Sequence, residues 1–147
     1  GVADPAYAMP MLGALKRQGV TRAWVVHGAG LDELTTTGVS QVWALIDDGT
    51  VEFSVDPQAY GLAAATASDL GGGEPAENAN AVHRVLSGEL GHHRDVVVLN
   101  AGAALVVAGQ AENLTSGLSL AMAAIDDGRA SKTLADLVRV SQAQVAG

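Results

Sequence analysis

The chain has 147 residues and a formal net charge of −8, and 48% of it is apolar but only 3% aromatic. This length suits one domain, whose core alanine, valine and leucine must fill. Lysine and arginine form no cluster, which argues against a nucleic-acid surface. Cysteine is absent, so disulfides and zinc–thiolate sites are excluded and a cytoplasmic location is expected. The sequence predicts no membrane span and shows no signal-peptide pattern.

The first predicted element is a helix. Asp4-Pro5 is typical of a helix start, because aspartate caps the helix and proline suits its first position. Gly19 is typical of a helix end. Pro10 lies inside the pattern, which predicts a kink or a later start. The expected buried stripe consists of Ala6, Met9, Leu12 and Leu15.

Three strands are predicted next. An apolar run at residues 23–26 indicates a buried strand, and a glycine-rich loop at 27–33 follows it. Alternating residues at 41–46 and 50–55 predict a hairpin with one buried face. Asp48-Gly49 between them is a strong turn dipeptide.

An irregular stretch at 58–73 precedes four predicted helices, at 75–87, 95–108, 115–127 and 131–145. The segment 95–108 also has a valine run that suits a strand, but its alanine content favours a buried helix. Its buried face is expected to hold Leu99, Ala103 and Val106, with Gly102 at a close helix contact. The last helix is expected to carry Leu134, Leu137, Val138, Ser141 and Val145 on one face.

The element order predicts part of an α/β domain. A strand that ends in a ligand-type loop normally has parallel neighbours, and the chain supplies too few of them. The loop's Asp32 and Glu33 are the leading candidate site, because magnesium prefers a few carboxylates plus water and substrate phosphates. Spacing alone favours a plain turn with two solvated acids, since this motif is weak.

Four segments resemble anthranilate phosphoribosyltransferases, in the right order over nearly the whole chain. They are the loop 27–35, the segments 72–79 and 94–109, and the opening 1–5, which fits the point where that family enters its C-terminal half. The resemblance implies that 1–147 is the C-terminal part of the large α/β domain, of the nucleoside-phosphorylase and phosphoribosyltransferase type.

The resemblance also implies a reaction. The amine of anthranilate attacks the ribose carbon of phosphoribosyl pyrophosphate, and pyrophosphate leaves, as a step of tryptophan biosynthesis. Asp32 and Glu33 would hold the magnesium that neutralises the leaving group. Positioning and electrostatics should matter more than a general base, because the transition state should resemble an oxocarbenium ion.

Other parts of that family have no counterpart in this sequence. The glycine-rich phosphate loop, the second set of magnesium ligands, most anthranilate contacts and the small helical N-terminal domain with the dimer contact all precede the matching region. The chain is therefore expected to be a fragment, one piece of a split enzyme or a partly resolved protein. It should be inactive alone, expose apolar surface, and join a homodimer when complete.

Residues outside this loop are expected to be structural. Gly71-Gly72-Gly73 before a helix could hold a phosphate, but the acids that follow would repel it, so a turn is favoured. Asn100 in an apolar helix should be hydrogen-bonded in the core. His27 is expected to support the loop rather than transfer a proton. No metal cluster is expected from His83, His92 and His93.

Three alternatives remain open. A pyrimidine nucleoside phosphorylase has a distantly similar fold but would not need the acidic magnesium pair. A non-catalytic nucleotide- or nucleic-acid-binding relative would need a basic surface. The third alternative is a folded fragment with no activity.

Overall fold

The computed structural model describes residues 1–47 and 49–143, which form an α/β fold with five helices and a three-stranded antiparallel sheet in the order β1-β2-β3. Short 3-10 turns at Pro5–Tyr7 and Pro57–Tyr60 supplement these elements. In chain order the elements are α1 (Ala8–Arg17), β1 (Arg22–Gly28), β2 (Ser40–Ile46), β3 (Gly49–Val55), α2 (Pro75–Leu86), α3 (His92–Val107), α4 (Leu114–Asp126) and α5 (Arg129–Ala143). The predicted α/β class and the order of elements are confirmed.

The first helix begins later than Asp4-Pro5 suggests. The Asp4 carboxylate accepts a bond from the Ala6 N–H at 2.9 Å, which caps only the 3-10 turn. The α-helix then begins at Ala8, so Pro10 lies in its first turn, where a missing N–H costs nothing. The late start predicted from Pro10 is confirmed.

The stripe predicted for α1 was partly wrong. Ala8 and Leu12 are its buried residues, whereas Ala6 and Met9 are exposed. Ala6 belongs to the separate 3-10 turn, so the buried stripe begins at Ala8. It continues at Leu12 and Leu15, at helical spacings of four and three residues.

The hairpin is present, but its burial differs from the prediction. Val42 and Ala44 pack on one side of the sheet, and Trp43 and Leu45 pack on the other, so the central strand is buried on both faces. Of the residues predicted to face the core in β3, Val55 is buried, Phe53 is partly buried and Val51 is exposed. The predicted turn residue Asp48 lies outside the described residues.

Helices cover the sheet on both faces. On one face α1 contributes Ala8 and Leu12 to a small core with Val25 of β1. The larger core lies on the other face, between the sheet and helices α2, α3 and α4. Its central buried side chains are Leu34, Val42, Val55, Val98, Leu99, Leu118 and Ile125.

The valine run lies in α3, as predicted, and it packs tightly on α4. Leu99, Ala103 and Val106 are buried. A methyl group on Gly102 would lie 2.9 Å from the Leu118 main-chain nitrogen, and one on Gly117 would overlap the Gly102 carbonyl oxygen. The two backbones therefore touch, which confirms the close contact predicted at Gly102.

The apolar face predicted for α5 is largely exposed. Within the described part of this helix no residue is buried, and Leu137 and Val138 are 63% and 43% exposed. Ser141 is exposed as well, and Val145 lies outside the described residues. The helix is amphipathic and packs against α2 and α4, and much of its apolar face stays open.

Within the described residues, no helix is long and apolar enough to cross a membrane.

Candidate functional site

A tight turn closes the end of β1. Gly28 and Leu31 exchange two main-chain hydrogen bonds, with N···O distances of 3.0 and 2.9 Å. The two residues between them have positive φ angles, 51° at Ala29 and 92° at Gly30, as a type I′ turn requires. The turn reverses the chain and brings Asp32 and Glu33 directly after it.

Asp32 and Glu33 are both exposed, and neither carboxylate has a hydrogen-bond or ion-pair partner within the described part of the chain. No group of three potential metal ligands occurs among the described residues. The pair therefore fits a magnesium ion only in part. Carboxylate oxygens are suitable donors, and the remaining ligands would come from water, phosphate or another segment.

Asn100 fixes the main chain just beyond the acidic pair. Its side-chain oxygen accepts the Leu34 N–H at 3.0 Å, and its amide nitrogen donates to the Leu34 carbonyl at 2.7 Å. A third bond joins that nitrogen to the Val96 carbonyl at 3.0 Å. The Leu34 side chain is fully buried in the larger core. The predicted core hydrogen bonding of Asn100 is thus present, and its target is a residue adjacent to Glu33.

Gly28 makes room for the same segment. A methyl group there would overlap the Glu33 carbonyl oxygen and lie 2.8 Å from the Thr35 methyl carbon and 2.9 Å from the Ser40 hydroxyl oxygen. The glycine is therefore required by close packing of the loop against the end of β1.

Threonines after the acidic pair continue this packing, and the sequence analysis did not single them out. The Thr35 N–H donates to the Ser40 hydroxyl at 3.1 Å, and the Thr35 hydroxyl accepts the Thr37 N–H at 3.1 Å. Thr36 is buried, and its hydroxyl has no hydrogen-bond partner in the described residues. The run of three threonines directly after Leu34 was the available sequence signal.

The His27 side chain joins the turn to the N-terminal segment through hydrogen bonds. Its Nδ1 lies 2.9 Å from the Val2 carbonyl oxygen, and its Nε2 lies 3.4 Å from the Gly30 amide nitrogen. Since Nε2 accepts from that N–H, Nδ1 carries the proton and donates to Val2. Both ring nitrogens are thus engaged, which matches the supporting role expected for this histidine.

The second glycine-rich segment is a helix start. Glu74 and Glu77 form a capping box at the start of α2, in which Glu77 accepts the Glu74 N–H at 2.9 Å. Asn78 accepts the Gly73 N–H at 2.8 Å and donates to the Gly73 carbonyl at 2.9 Å. These side chains hydrogen-bond the main chain at and just before the start of α2. Residues 71–73 form an exposed segment without regular structure, and the turn lies just before it, at 67–70.

The remaining histidines do not gather into a site. His92 and His93 begin α3, and they line a small pocket with Arg84 and Asp69. No metal-binding group includes them or His83 among the described residues. Hydrogen bonds from the Thr66 hydroxyl and N–H lower the pKa of Asp69 below its ordinary value.

The family profile of the glycosyl transferase family, a/b domain, matches residues 1–131. The chain belongs to this family. Within the glycosyl transferase family, the chain is 51% identical over 144 residues to an anthranilate phosphoribosyltransferase of Methylorubrum populi, and 49% identical over 146 residues to one of Caulobacter vibrioides. These alignments cover 97% and 99% of this chain. The resemblance inferred from the four segments is confirmed.

Solved structures agree. The fold matches the anthranilate phosphoribosyltransferase of Thermus thermophilus with a TM-score of 0.84 and 38% identity, over 95% of this chain and 41% of that one. The Saccharomyces cerevisiae enzyme in complex with PRPP and Mg matches with a TM-score of 0.80 and 27% identity, over 91% of this chain and 39% of that one. The two sequence relatives are covered to only 43% and 42%, so the chain spans less than half the length of the proteins it matches.

Proposed function

We propose that this chain is part of an anthranilate phosphoribosyltransferase of tryptophan biosynthesis. Support comes from relatives of that name at about 50% identity and from yeast structures solved with PRPP and Mg and with 4-fluoroanthranilate. In the chain itself, the observation that carries the proposal is the acidic pair at the end of β1. Its carboxylates have no protein partner in the described residues, although the main chain around them is closely held.

The proposed reaction forms one bond to the ribose carbon and breaks another. A carbon–nitrogen bond forms between the anthranilate amine and the ribose carbon, while the carbon–oxygen bond to pyrophosphate breaks and takes its electron pair with it. The amine gives up one proton to the surroundings. Both ring nitrogens of His27 are engaged in hydrogen bonds within the described residues, so this histidine is not poised as a base. Catalysis then depends on holding the reactants and stabilising the leaving group.

Asp32 and Glu33 are the proposed magnesium ligands. Magnesium supplies positive charge against the pyrophosphate leaving group. The two carboxylates attract that ion, and the chain needs such a cation because its net charge of −8 would otherwise repel pyrophosphate. They directly follow the turn that closes β1, and both side chains are exposed and accessible to a ligand.

The proposed partner is the rest of the enzyme, with residues 1–147 as the C-terminal part of its large domain. A groove of about 430 Å³ lies between β1 and α3, lined by Trp24, Val26, Leu34, Asn100, Ala104 and Val107. The Val2 N–H reaches the Val26 carbonyl on this side of β1, but within the described residues no bond from outside the sheet reaches Trp24. An apolar groove beside an open strand edge suits another part of an α/β domain. The homodimer and the cytoplasmic location are carried over from the family resemblance alone.

Two preparations test the proposed function. The 147-residue chain alone should give no measurable phosphoribosylanthranilate, because the family's phosphate loop lies outside it. The same chain combined with the remaining part of the enzyme should form the product in a magnesium-dependent reaction, measured as loss of anthranilate fluorescence. Enzyme-like turnover by the chain alone would refute the fragment interpretation. Phosphorolysis of a pyrimidine nucleoside without magnesium would favour the phosphorylase.

A further inference from the structure

Asn100 makes an unusual connection between α3 and the acidic loop. It satisfies both the N–H and the carbonyl of Leu34, which is 66 positions away in sequence. The side-chain amide thus pairs with the main chain of Leu34 as the peptide group of a neighbouring strand would. Its third bond, to the Val96 carbonyl, fixes the amide on its own helix.

The acidic pair is held through its main chain and not through its carboxylates. Within the described residues neither carboxylate touches another side chain through a hydrogen bond or ion pair. The turn from Gly28 to Leu31 holds the chain before the pair, and Asn100 holds the chain after it. Asn100 therefore fixes the main chain at Leu34, where the chain enters the core directly after Glu33.

The helix that carries Asn100 is itself fixed. The backbones of α3 and α4 touch at Gly102 and Gly117. At the start of α3, the buried Arg94 bonds Asp126 of α4 at 2.7 Å and the Gly88 carbonyl at 3.1 Å. Because α3 is fixed, the Asn100 side chain can hold the loop in one position.

We propose that Asn100 is a positioning residue for the magnesium-binding pair, and that its two bonds to Leu34 set the geometry in which Asp32 and Glu33 meet the metal. This inference rests on the proposed function. Partners that orient metal ligands from outside the coordination shell typically change metal affinity by about 10- to 100-fold when they are removed. Asn100 acts in this way through the main chain.

The chain contains a matched control. Asn78 makes the same pair of bonds to the main chain of Gly73, at 2.8 and 2.9 Å, in an exposed segment that contains neither Asp32 nor Glu33. Asn100→Ala and Asn78→Ala therefore each remove one such pair of bonds, in different places, and Asn100→Ala also removes the bond to the Val96 carbonyl. Asn100→Asp nearly keeps the shape, can still accept from the Leu34 N–H, and cannot donate to its carbonyl.

The experiment uses the complete enzyme and two readouts. One is the magnesium concentration that gives half-maximal turnover, and the other is Mn²⁺ binding in the presence of pyrophosphate, followed by electron paramagnetic resonance. Asn100→Ala should raise both values by about 10-fold or more, Asn100→Asp should raise them in the same direction, and Asn78→Ala should change neither by more than about 2-fold. The KM for anthranilate should stay near the wild-type value in all three variants.

Folding and the proposed function are separated by further measurements. Thermal melting shows whether each variant is folded, and Asn100→Asp serves if Asn100→Ala is not. If Asp32→Asn with Glu33→Gln weakens Mn²⁺ binding while the folded Asn100 variants bind it as the wild type does, the positioning role is wrong and the proposed function stands. If that double variant binds Mn²⁺ unchanged, the metal assignment itself fails.

Discussion

Two glycine-rich segments of this protein are each followed by two acidic residues, and the structure uses them differently. After Gly28 and Gly30, the side chains of Asp32 and Glu33 have no partner in the described residues, while the main chain beneath them is packed and hydrogen-bonded. After the three glycines at 71–73, Glu74 and Glu77 both bind the start of α2, and the surrounding segment is exposed.

The difference shows what distinguishes a ligand loop from a helix start. Acids that already serve a helix N-terminus have their hydrogen-bonding capacity occupied and contribute to stability. Acids held by a rigid main chain but left without partners keep that capacity for a ligand. A glycine-rich sequence followed by acids is therefore not informative until the partners of the carboxylates are known.

Neutralising each acidic pair should give the largest contrast. Asp32→Asn with Glu33→Gln should lower magnesium-dependent turnover of the complete enzyme by about 100-fold or more, since a bound metal stabilises the transition state by several kcal/mol. Folding should change little, because both residues are exposed. The measurement is steady-state kinetics at several magnesium concentrations, and anthranilate binding should suffer less than turnover.

The matched change at the second segment is Glu74→Gln with Glu77→Gln. It should leave the magnesium dependence unaltered and lower the stability by about 0.5–1 kcal/mol, through weaker capping of α2. If Asp32→Asn with Glu33→Gln keeps the wild-type magnesium dependence, Asp32-Glu33 is a surface turn, and the two segments do not differ in function.

Adding a methyl group to each segment gives an intermediate contrast. Gly28→Ala should destabilise the fold by about 1–3 kcal/mol, because the new group collides with Glu33, Thr35 and Ser40 around a buried position. Gly71→Ala places its methyl 3.3 Å from the Ser68 carbonyl oxygen in an exposed turn, so a change within about 0.5 kcal/mol is expected. Urea unfolding of both variants measures this, and equal losses would show that the first segment is no more closely packed than the second.

Lowering the pH should have the smallest effect on stability. It should act on the turn from Thr66 to Asp69, which precedes the second segment. The Thr66 hydroxyl and N–H hold the pKa of Asp69 below its ordinary value of 3.8. The lowered folded-state pKa means that this turn gains stability above pH 3.8 and loses it as the pH falls through the lower value. The Thr66 amide signal in NMR should shift in that acidic range and should not do so in Asp69→Asn. A titration of Thr66 that persists in the variant would assign the effect to another group.

Local patterns predicted most elements of the fold. The helix over the valine run of α3 followed from its alanine content, and the hairpin followed from alternation. Burial was harder to predict, because it depends on what packs from elsewhere. The central strand β2 is buried on both faces since α1 covers one of them, and the apolar stripe of α5 stays open because little lies against it within the described residues.

The candidate site shows the same limit. Asp32 and Glu33 were found from their place after a strand, and their role as metal ligands stays a prediction. Asn100 was predicted to hydrogen-bond in the core, but its partner Leu34 could not be identified, because the contact joins positions 66 residues apart. The unpaired hydroxyl of Thr36 likewise depends on the folded environment.

The contact between Gly102 and Gly117 restricts how this protein can change over evolutionary time. Elsewhere in the core, exchanges among leucine, isoleucine and methionine can be absorbed by repacking. At these two positions glycine is already the smallest residue, and alanine would meet main-chain atoms of the facing helix. No smaller residue exists, so any substitution at either position should require α3 and α4 to move apart.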